Sequence, residues 1–248
     1  MGRQSRRPFL PLTKNTMAVS VDTVYQRVLA ILNKEQRGYV TPEEFNLFAN
    51  QAQLDIFEQY FYDINQFGRL HGNDTEYSDM LNLLNEKISF FEKEINLTRS
   101  GNFYSVPSDL YRVGTIIINS SNTEVERVNK NEFLYYQKAP LTKSKDSRPI
   151  YIKDNSGFKV YGNTEIVAVN AVRLNYIKKP AKVIWNYVVV LGFAQYAATG
   201  SVDFELHPSE ETELVIKILA LCGLILKDPS VYQIATGEEV RNTNEEKS

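Results

Sequence analysis

The residues best suited to nucleophilic catalysis or zinc binding are scarce in this sequence: His71, His207 and Cys222 are its only histidines and its only cysteine. A zinc site needs several Cys or His ligands at short spacings, and a Ser or Cys nucleophile needs a nearby base. Neither pattern surrounds these residues, and G-x-S-x-G, phosphate-binding and dinucleotide-binding motifs are missing from the sequence. The sequence therefore predicts no catalytic residue, no cofactor site and no metal site, in a protein that is not an enzyme.

Two acidic pairs, Glu43-Glu44 and Glu210-Glu211, come closest to the paired carboxylates of general acid–base catalysis. Each pair follows a proline, Pro42 or Pro208, and proline is favoured at the first position of a helix. Carboxylates in the first helical turn are stabilised by the positive end of the helix dipole. A role at a helix start therefore explains both pairs better than acid–base chemistry does.

The composition is that of a globular protein without a general affinity for nucleic acid. Hydrophobic residues make up 43% and charged residues 23% of the 248 positions, with a net charge of −2, whereas nucleic-acid-binding domains carry a basic excess. The 15 Tyr and 13 Phe fit either a large core or extensive protein–protein contact, and both remain open. A single cysteine excludes an intrachain disulfide, which fits assembly in a reducing cytoplasm.

Three helices are predicted in the N-terminal part of the chain, over residues 20–34, 41–60 and 75–97. The second begins at Thr41-Pro42-Glu43-Glu44, which combines a capping box with a proline at the first helical position. In the third, apolar residues recur about every 3.5 positions, at Tyr77, Leu81, Leu84, Ile88, Phe91 and Ile95. This period is typical of a helix packed along another at a shallow angle, in a bundle core or between subunits.

A fourth helix is predicted over residues 208–226, between a proline-containing start and the sequence Lys227-Asp228-Pro229. Almost every residue from 214 to 226 is apolar, so the helix must be buried on nearly all sides. The apolar run is shorter than the roughly 20 residues that a bilayer requires. We therefore expect a central strut within the protein, with Leu214, Ile218, Leu221, Cys222 and Ile225 as its structural residues.

The middle of the chain changes to the alternating pattern of β-strands. Strands are predicted over residues 103–106, 111–119, 124–128, 150–153, 158–161, 167–178, 183–190 and 202–206, with a short helix from 129 to 136. Residues 187–198 fit the start of a helix equally well. We predict an α+β fold: a helical bundle of three N-terminal helices plus the C-terminal buried helix, with an inserted, mostly antiparallel β domain.

This organisation divides the chain into an extended N-terminal arm (1–19), a helical bundle (20–100 and 207–240), a β-rich domain (101–206) and a C-terminal tail (241–248). The arm is expected to dock on a partner through Arg3, Arg6, Arg7, Phe9 and Leu10. An outward loop carries the second basic cluster, Lys143, Lys145 and Arg148. Three cations are too few to predict DNA binding, so solvated surface, docking on an acidic partner and contact with passing DNA stay open.

Two stretches of the sequence resemble a known family. They are VDTVYQRVLAILNKEQRGYVTPEEFNLFANQAQLDIFEQYF near the N-terminus and DFELHPSEETELVIKILAL followed by KDPSVYQIA near the C-terminus. Both are similar to ring or adaptor proteins of crAss-like and related short-tailed phages, which sit between the portal and the tail. The resemblance covers most of residues 20–235.

The resemblance implies a structural virion protein of the head-to-tail connector. It implies a homo-oligomeric ring, a dodecamer matching the portal, that contacts the portal protein and other ring or tail proteins. Genomic DNA would pass through the central channel without sequence-specific binding, and no membrane would be involved. Assembly would occur in the bacterial host cytoplasm. A head-completion stopper, a tail-hub protein and a non-catalytic monomeric binding module remain the alternatives.

Overall fold

The computed structural model describes residues 18–34, 39–67, 75–166 and 171–225, with residues 237, 240 and 241. The fold is mixed α+β with antiparallel sheets, as the sequence predicts, apart from one parallel strand pair. The helices are α1 (Val21–Lys34), α2 (Pro42–Phe67), α3 (Thr75–Ser89), α4 (Lys130–Lys138) and α5 (Glu211–Ile225). The strands are β1 (Glu92–Asn96), β2 (Arg99–Ser100), β3 (Phe103–Tyr104), β4 (Leu110–Ile118), β5 (Thr123–Glu124), β6 (Glu126–Arg127), β7 (Ile150–Asp154), β8 (Gly157–Tyr161), β9 (Val172–Lys178), β10 (Tyr187–Val190) and β11 (Phe193–Tyr196).

The chain forms two compact units. The first unit combines Met1–Tyr77 with Ala181–Ser248, and the second consists of Ser78–Pro180. Both boundaries come earlier along the chain than those predicted at residues 100 and 206. The reason is pairing between segments far apart in the chain: β1 is a strand of a sheet in the second unit, while the segment after residue 180 is bound by α2 in the first.

In the first unit, α5 packs against both α1 and α2. The apolar residues Val21, Val24 and Val28 of α1 are fully buried. Leu32 continues this buried face at 1% exposure, whereas Ile31 is 43% exposed. The α-helical period of 3.6 residues places position 32, four residues after Val28, on the buried face.

The strut helix α5 is confirmed as largely apolar and buried. Leu214, Ile218 and Cys222 are at most 1% exposed. Leu221, three residues after Ile218 and at the edge of the buried face, is only half-buried. Ile225 lies in the last turn, and its side chain and the predicted end at residue 226 fall outside the described residues.

The start of α2 confirms the predicted capping box. The Thr41 backbone N–H donates to Glu44 Oε2 at 2.9 Å, and the Thr41 hydroxyl donates to the same oxygen at 2.8 Å. The Glu44 N–H in turn donates to Thr41 Oγ1 at 3.3 Å. These hydrogen bonds hold the pKa of Glu44 below its ordinary value. Reciprocal bonding of this kind satisfies donors that the first helical turn leaves free.

Replacing Thr41 with Ala should lower the free energy of unfolding by about 0.5–2 kcal/mol, because the N-cap acceptor is lost. Urea unfolding followed by circular dichroism measures this difference. Thr23→Ala on the exposed side of α1 is the matched control and should change stability by less than about 0.5 kcal/mol. Equal stability of Thr41→Ala and the unchanged protein would show that the cap contributes nothing.

The second unit is built from two sheets. One has the strand order β1-β9-β4-β5 and the other β2-β3-β8-β7-β6, in which β6 and β7 are parallel. Apolar side chains from both sheets form one core cluster, which includes Tyr104, Ile116, Phe158, Val160 and Leu174. A turn at residues 154–157 joins β7 to β8, with Asp154 paired to Gly157.

The third predicted helix is shorter than the sequence indicates. It ends at Ser89, and the chain turns at Phe91 and continues as β1, where Ile95 pairs with Leu174 of β9. The prediction over residues 90–97 is therefore wrong. The near-heptad spacing fits a helix, but antiparallel pairing with β9 decides the outcome, as tertiary context routinely overrides local propensity.

The segment around residues 183–206 also differs from the prediction. Strand structure covers only Tyr187–Val190 of the predicted 183–190, and the helix considered for 187–198 is replaced by the hairpin of β10 and β11. Val202 and Phe204 form only isolated bridges, to Ile184 and Val19. The predicted strand at 124–128 is interrupted at Val125, which separates β5 from β6.

Candidate protein-docking surface

Two asparagines on one face of α2 bind the extended segment 181–185. Asn46 Oδ1 accepts the Trp185 N–H at 2.7 Å, and Asn46 Nδ2 donates to the Trp185 carbonyl at 3.2 Å. Asn50 does the same for Val183, at 3.0 and 2.9 Å. The two side-chain amides thus give alternate residues of the segment the donors and acceptors that a neighbouring strand would supply.

Gln53 extends this set of amides by another turn of α2. Its Nε2 donates to the Ala181 carbonyl at 2.8 Å, and its Oε1 accepts the Glu205 N–H at 3.0 Å. Glu205 Oε2 accepts the Ala181 N–H at 2.9 Å. Since Gln53 is 3% exposed, these bonds are shielded from water and fix the chain that leads into β10.

Trp185 anchors the end of this segment. Its side chain is 2% exposed, and its ring centroid lies 4.4 Å from that of Tyr25 in α1. The indole N–H donates to Asp22 Oδ1 at 3.0 Å. Tyr187 and Tyr196, at the base of the hairpin, contact the same indole with centroid distances of 5.9 and 5.8 Å. Trp185 therefore fixes the hairpin to α1 and α2.

The hairpin itself is an isolated two-stranded ribbon. β10 and β11 pair with each other, and no third strand joins them within the described residues. The turn residues Leu191 and Gly192 have φ values of 51° and 84°. Positive φ at both central residues is the geometry of the tight turn that matches the twist of a hairpin. A ribbon of two strands is marginally stable alone, so its base must hold it.

Apolar side chains cover the free end of this hairpin. Leu191 is 93% exposed and Phe193 76% exposed, and residues 186–201 include no charged side chain. The further exposed apolar residues are Val188, Val189, Val190 and Tyr196. Contiguous apolar surface of several hundred Å² is uncommon on monomers and marks sites of protein–protein contact. The hairpin is therefore a candidate docking surface.

A groove of about 630 Å³ lies beside the hairpin, between β11 and α1. Its lining is mainly aromatic, with Tyr25 and Trp185 in the floor and Tyr39, Phe193 and Tyr196 more exposed. Burial raises the pKa of Tyr25 far above its ordinary value, and a hydrogen bond with Tyr39 adds to the effect. Tyr25 therefore stays neutral, and its hydroxyl donates to the Val40 carbonyl at 3.1 Å.

The predicted outward loop in the second unit is held by side-chain hydrogen bonds to neighbouring residues. Arg148 donates to Glu126 Oε2 through both Nη2 and Nε, at 2.8 and 3.0 Å. Ser144 is buried and accepts a hydrogen bond from Gln137. Lys143 and Lys145 are exposed, and Lys145 exchanges two backbone hydrogen bonds with Arg148. Because Glu126 neutralises Arg148, the loop is a weaker candidate than the hairpin.

A polar cluster in the second unit connects residues distant in sequence. Lys93 Nζ lies 2.9 Å from Asp109 Oδ2, and the Tyr176 hydroxyl donates to Asp109 Oδ1 at 2.8 Å. The hydrogen bond from Lys93 is the main cause of the lowered pKa of Asp109. Burial is the main cause of the raised pKa of Tyr176. The cluster links β1, β9 and the residue before β4, and a structural role accounts for it.

His207 and Cys222, which the sequence analysis considered for catalysis or zinc binding, have structural roles in the fold. His207 caps the 3-10 turn Pro208–Glu210 by accepting the Ser209 N–H at 3.2 Å. Burial raises the pKa of Cys222 to about 12, so the reactive thiolate is scarce at neutral pH. His71, the arm residues Arg3, Arg6, Arg7, Phe9 and Leu10, and most of the tail lie outside the described residues.

The sequence predictions did not include this docking surface, although two features of the sequence point to it. Asn46, Asn50 and Gln53 recur at helical spacing within the second predicted helix. The run of residues 186–201 without charge, containing Leu191-Gly192 between apolar stretches, also favours a hairpin. The partners of the three amides are 128–152 residues away along the chain. Only the tertiary structure brings them together.

Comparison with known proteins returns no match, either to a protein-family model or to a curated protein. In the part of the chain that the structure describes, no helix is both long and apolar enough to span a bilayer. The same residues include no group of three or more His, Cys, Asp or Glu side chains suited to a metal ion. The hairpin and the groove are therefore the features from which a function can be argued.

Proposed function

We propose that this protein is a structural subunit of a homo-oligomeric ring that joins a phage portal to the tail and surrounds the DNA channel. The observation that carries the proposal is the exposed, uncharged hairpin of β10 and β11, anchored at its base by Trp185. A surface of this type needs an apolar protein partner. The sequence resemblance supplies the place of assembly, at the portal–tail junction of the virion.

The chemistry of the hairpin favours a protein partner over DNA. DNA binding depends on Lys and Arg side chains that neutralise phosphates, and residues 186–201 have none. A ring forms when one surface of a subunit binds a different surface of the next and the rotation closes. The projecting hairpin suits such head-to-tail contact, and genomic DNA would pass the ring without sequence-specific binding.

The proposal extends to the architecture. We infer that α1, α2 and α5 form a helical bundle into which the β-rich part is inserted along the chain, while α3 belongs mostly to the second unit. Packing of α5 on α1 and α2 supports the bundle, and the position of Ser78–Pro180 between the two halves of the first unit supports the insertion. The bundle would provide stiff walls between subunits, and the β-rich part would contact portal or tail proteins.

Leu191→Asp should abolish or sharply reduce assembly while preserving the fold, because it places a charge at a 93% exposed apolar tip. Native mass spectrometry and sedimentation velocity would measure the oligomer, with and without purified portal protein. Ser156→Asp, at the exposed turn between β7 and β8, is the matched control and should assemble normally.

Several outcomes would contradict the proposed function. Unchanged assembly of Leu191→Asp would remove the hairpin from the contact. A protein that stays monomeric at high concentration and binds neither portal nor tail proteins would favour a monomeric binding module instead. A particle that sits elsewhere in the virion would favour a head-completion stopper or a tail-hub protein.

A further inference from the structure

The groove beside β11 has the chemistry of a peptide-binding site. Aromatic side chains dominate its floor and walls, and Leu29 of α1 adds an aliphatic surface. Tyr25 and Trp185 are 2% exposed, whereas Tyr39 is 58% exposed. Grooves lined by aromatic rings bind proline-rich segments with the spacing P-x-x-P, because such segments are extended before they bind and lose little entropy.

The chain contains one segment of this kind. The sequence Pro8-Phe9-Leu10-Pro11-Leu12 has two prolines at the P-x-x-P spacing and three large apolar side chains. It lies in the N-terminal stretch before Ala18, the first residue that the structure describes. Five residues separate Leu12 from Ala18, a tether that spans at most about 20 Å.

We propose that the groove of one subunit binds residues 8–12 of a neighbouring copy. The prolines and Phe9 would pack against Tyr25, Tyr39 and Trp185. The arm would thereby link consecutive subunits. Because a neighbouring copy is required, this exchange of arms rests on the proposed function.

A neighbour fits the surface better than the subunit's own arm. Gly192, Phe193 and Tyr196 belong both to the groove and to the hairpin. An arm from the same chain would fill the groove and leave Leu191 and Val189 of the hairpin in water. A neighbouring subunit that docks on the hairpin and inserts its arm would cover both surfaces in one interface.

Trp185 offers a direct measurement, since it is the only tryptophan in the chain and lies in the groove. A synthetic peptide of residues 1–17 would be titrated into protein that lacks those residues, and tryptophan fluorescence recorded. The expected result is a saturable spectral shift. Replacing Phe9 with Asp, or both prolines with Ala, should weaken binding at least tenfold.

Two protein variants make the titration specific. Tyr39→Ser changes an exposed wall of the groove and should weaken peptide binding at least tenfold without unfolding the protein. Leu191→Asp prevents ring contact through the hairpin but should leave peptide binding intact. A peptide with the arginines in place and residues 8–12 scrambled should not bind. If it binds as well as the true sequence, charge alone holds the arm and the inference fails.

The source of the arm is tested by mixing two chains. The donor carries Trp185→Phe and a tryptophan-quenching dye on Ser5→Cys, and the acceptor lacks residues 1–17 but retains Trp185. Quenching of the acceptor supports exchange between copies. If only a labelled chain with its own Trp185 is quenched, independently of concentration, the arm binds its own groove and the inference is overturned. Ring assembly without peptide binding would overturn the inference alone, whereas peptide binding without assembly would remove the proposed function.

Discussion

Ile218→Asp should abolish the cooperative folding of the first unit, with a loss of about 4–5 kcal/mol or more in the free energy of unfolding. Ile218 is 0% exposed in α5, on the face that also buries Leu214 and Cys222. A carboxylate placed there must either remain charged in an apolar environment or bind a proton, and both are costly. Native domains are stable by only about 5–15 kcal/mol, so most of the stability would be lost.

The matched control is Leu221→Asp, three residues away on the same helix. The two substitutions change helix propensity by similar amounts. Leu221 is half-buried, however, so the carboxylate of Leu221→Asp can reach water more readily. Thermal unfolding by circular dichroism should show a much smaller decrease for this variant. If the two variants unfold at the same temperature, or if Ile218→Asp behaves like the unchanged protein, Ile218 of α5 is not buried in the core.

Trp185→Ala should lower the free energy of unfolding by about 3–5 kcal/mol, the usual cost of removing a large buried aromatic ring. The indole contacts Tyr25 and Tyr196 and donates to Asp22, so truncation leaves both a cavity and an acceptor without its donor. Urea unfolding followed by circular dichroism measures the change. The hairpin should also become sensitive to a protease that cleaves after aromatic residues.

Phe193→Ala provides the comparison for this prediction. Phe193 is an aromatic residue of the same hairpin but is 76% exposed, so its removal should change stability by less than about 0.5 kcal/mol. Trp185→Phe retains most of the buried ring and removes the N–H donor, which isolates the contribution of the bond to Asp22. Equal destabilisation by Trp185→Ala and Phe193→Ala would contradict the anchoring role of Trp185.

Local signals in the sequence were sufficient for several elements of the fold. Thr41-Pro42-Glu43-Glu44 predicted the start of α2 because a capping box is formed within four consecutive residues. The apolar run of α5 predicted its burial because period and composition are properties of the segment itself. The α+β class followed from these elements.

The errors occurred where distant residues decide the structure. The pattern at residues 90–97 fits a helix. Residues 92–96 nevertheless form a strand, because they pair with β9, about 80 residues away. The candidate docking surface depends on Asn46 and Asn50, whose partners lie 139 and 133 residues along the chain. The sequence of α2 does not reveal that these asparagines bind another segment, since polar residues are common on the surface of any helix.

By itself, the sequence determined the helix starts, the buried character of α5 and the scarcity of groups for catalysis, because each depends on residue types or on residues close together in the chain. The tertiary structure alone decided where α3 ends, which backbone the α2 amides bind, and that Trp185 holds an apolar hairpin in solvent. Those outcomes depend on hydrogen bonds and ring contacts between residues far apart in the chain, which no local pattern encodes.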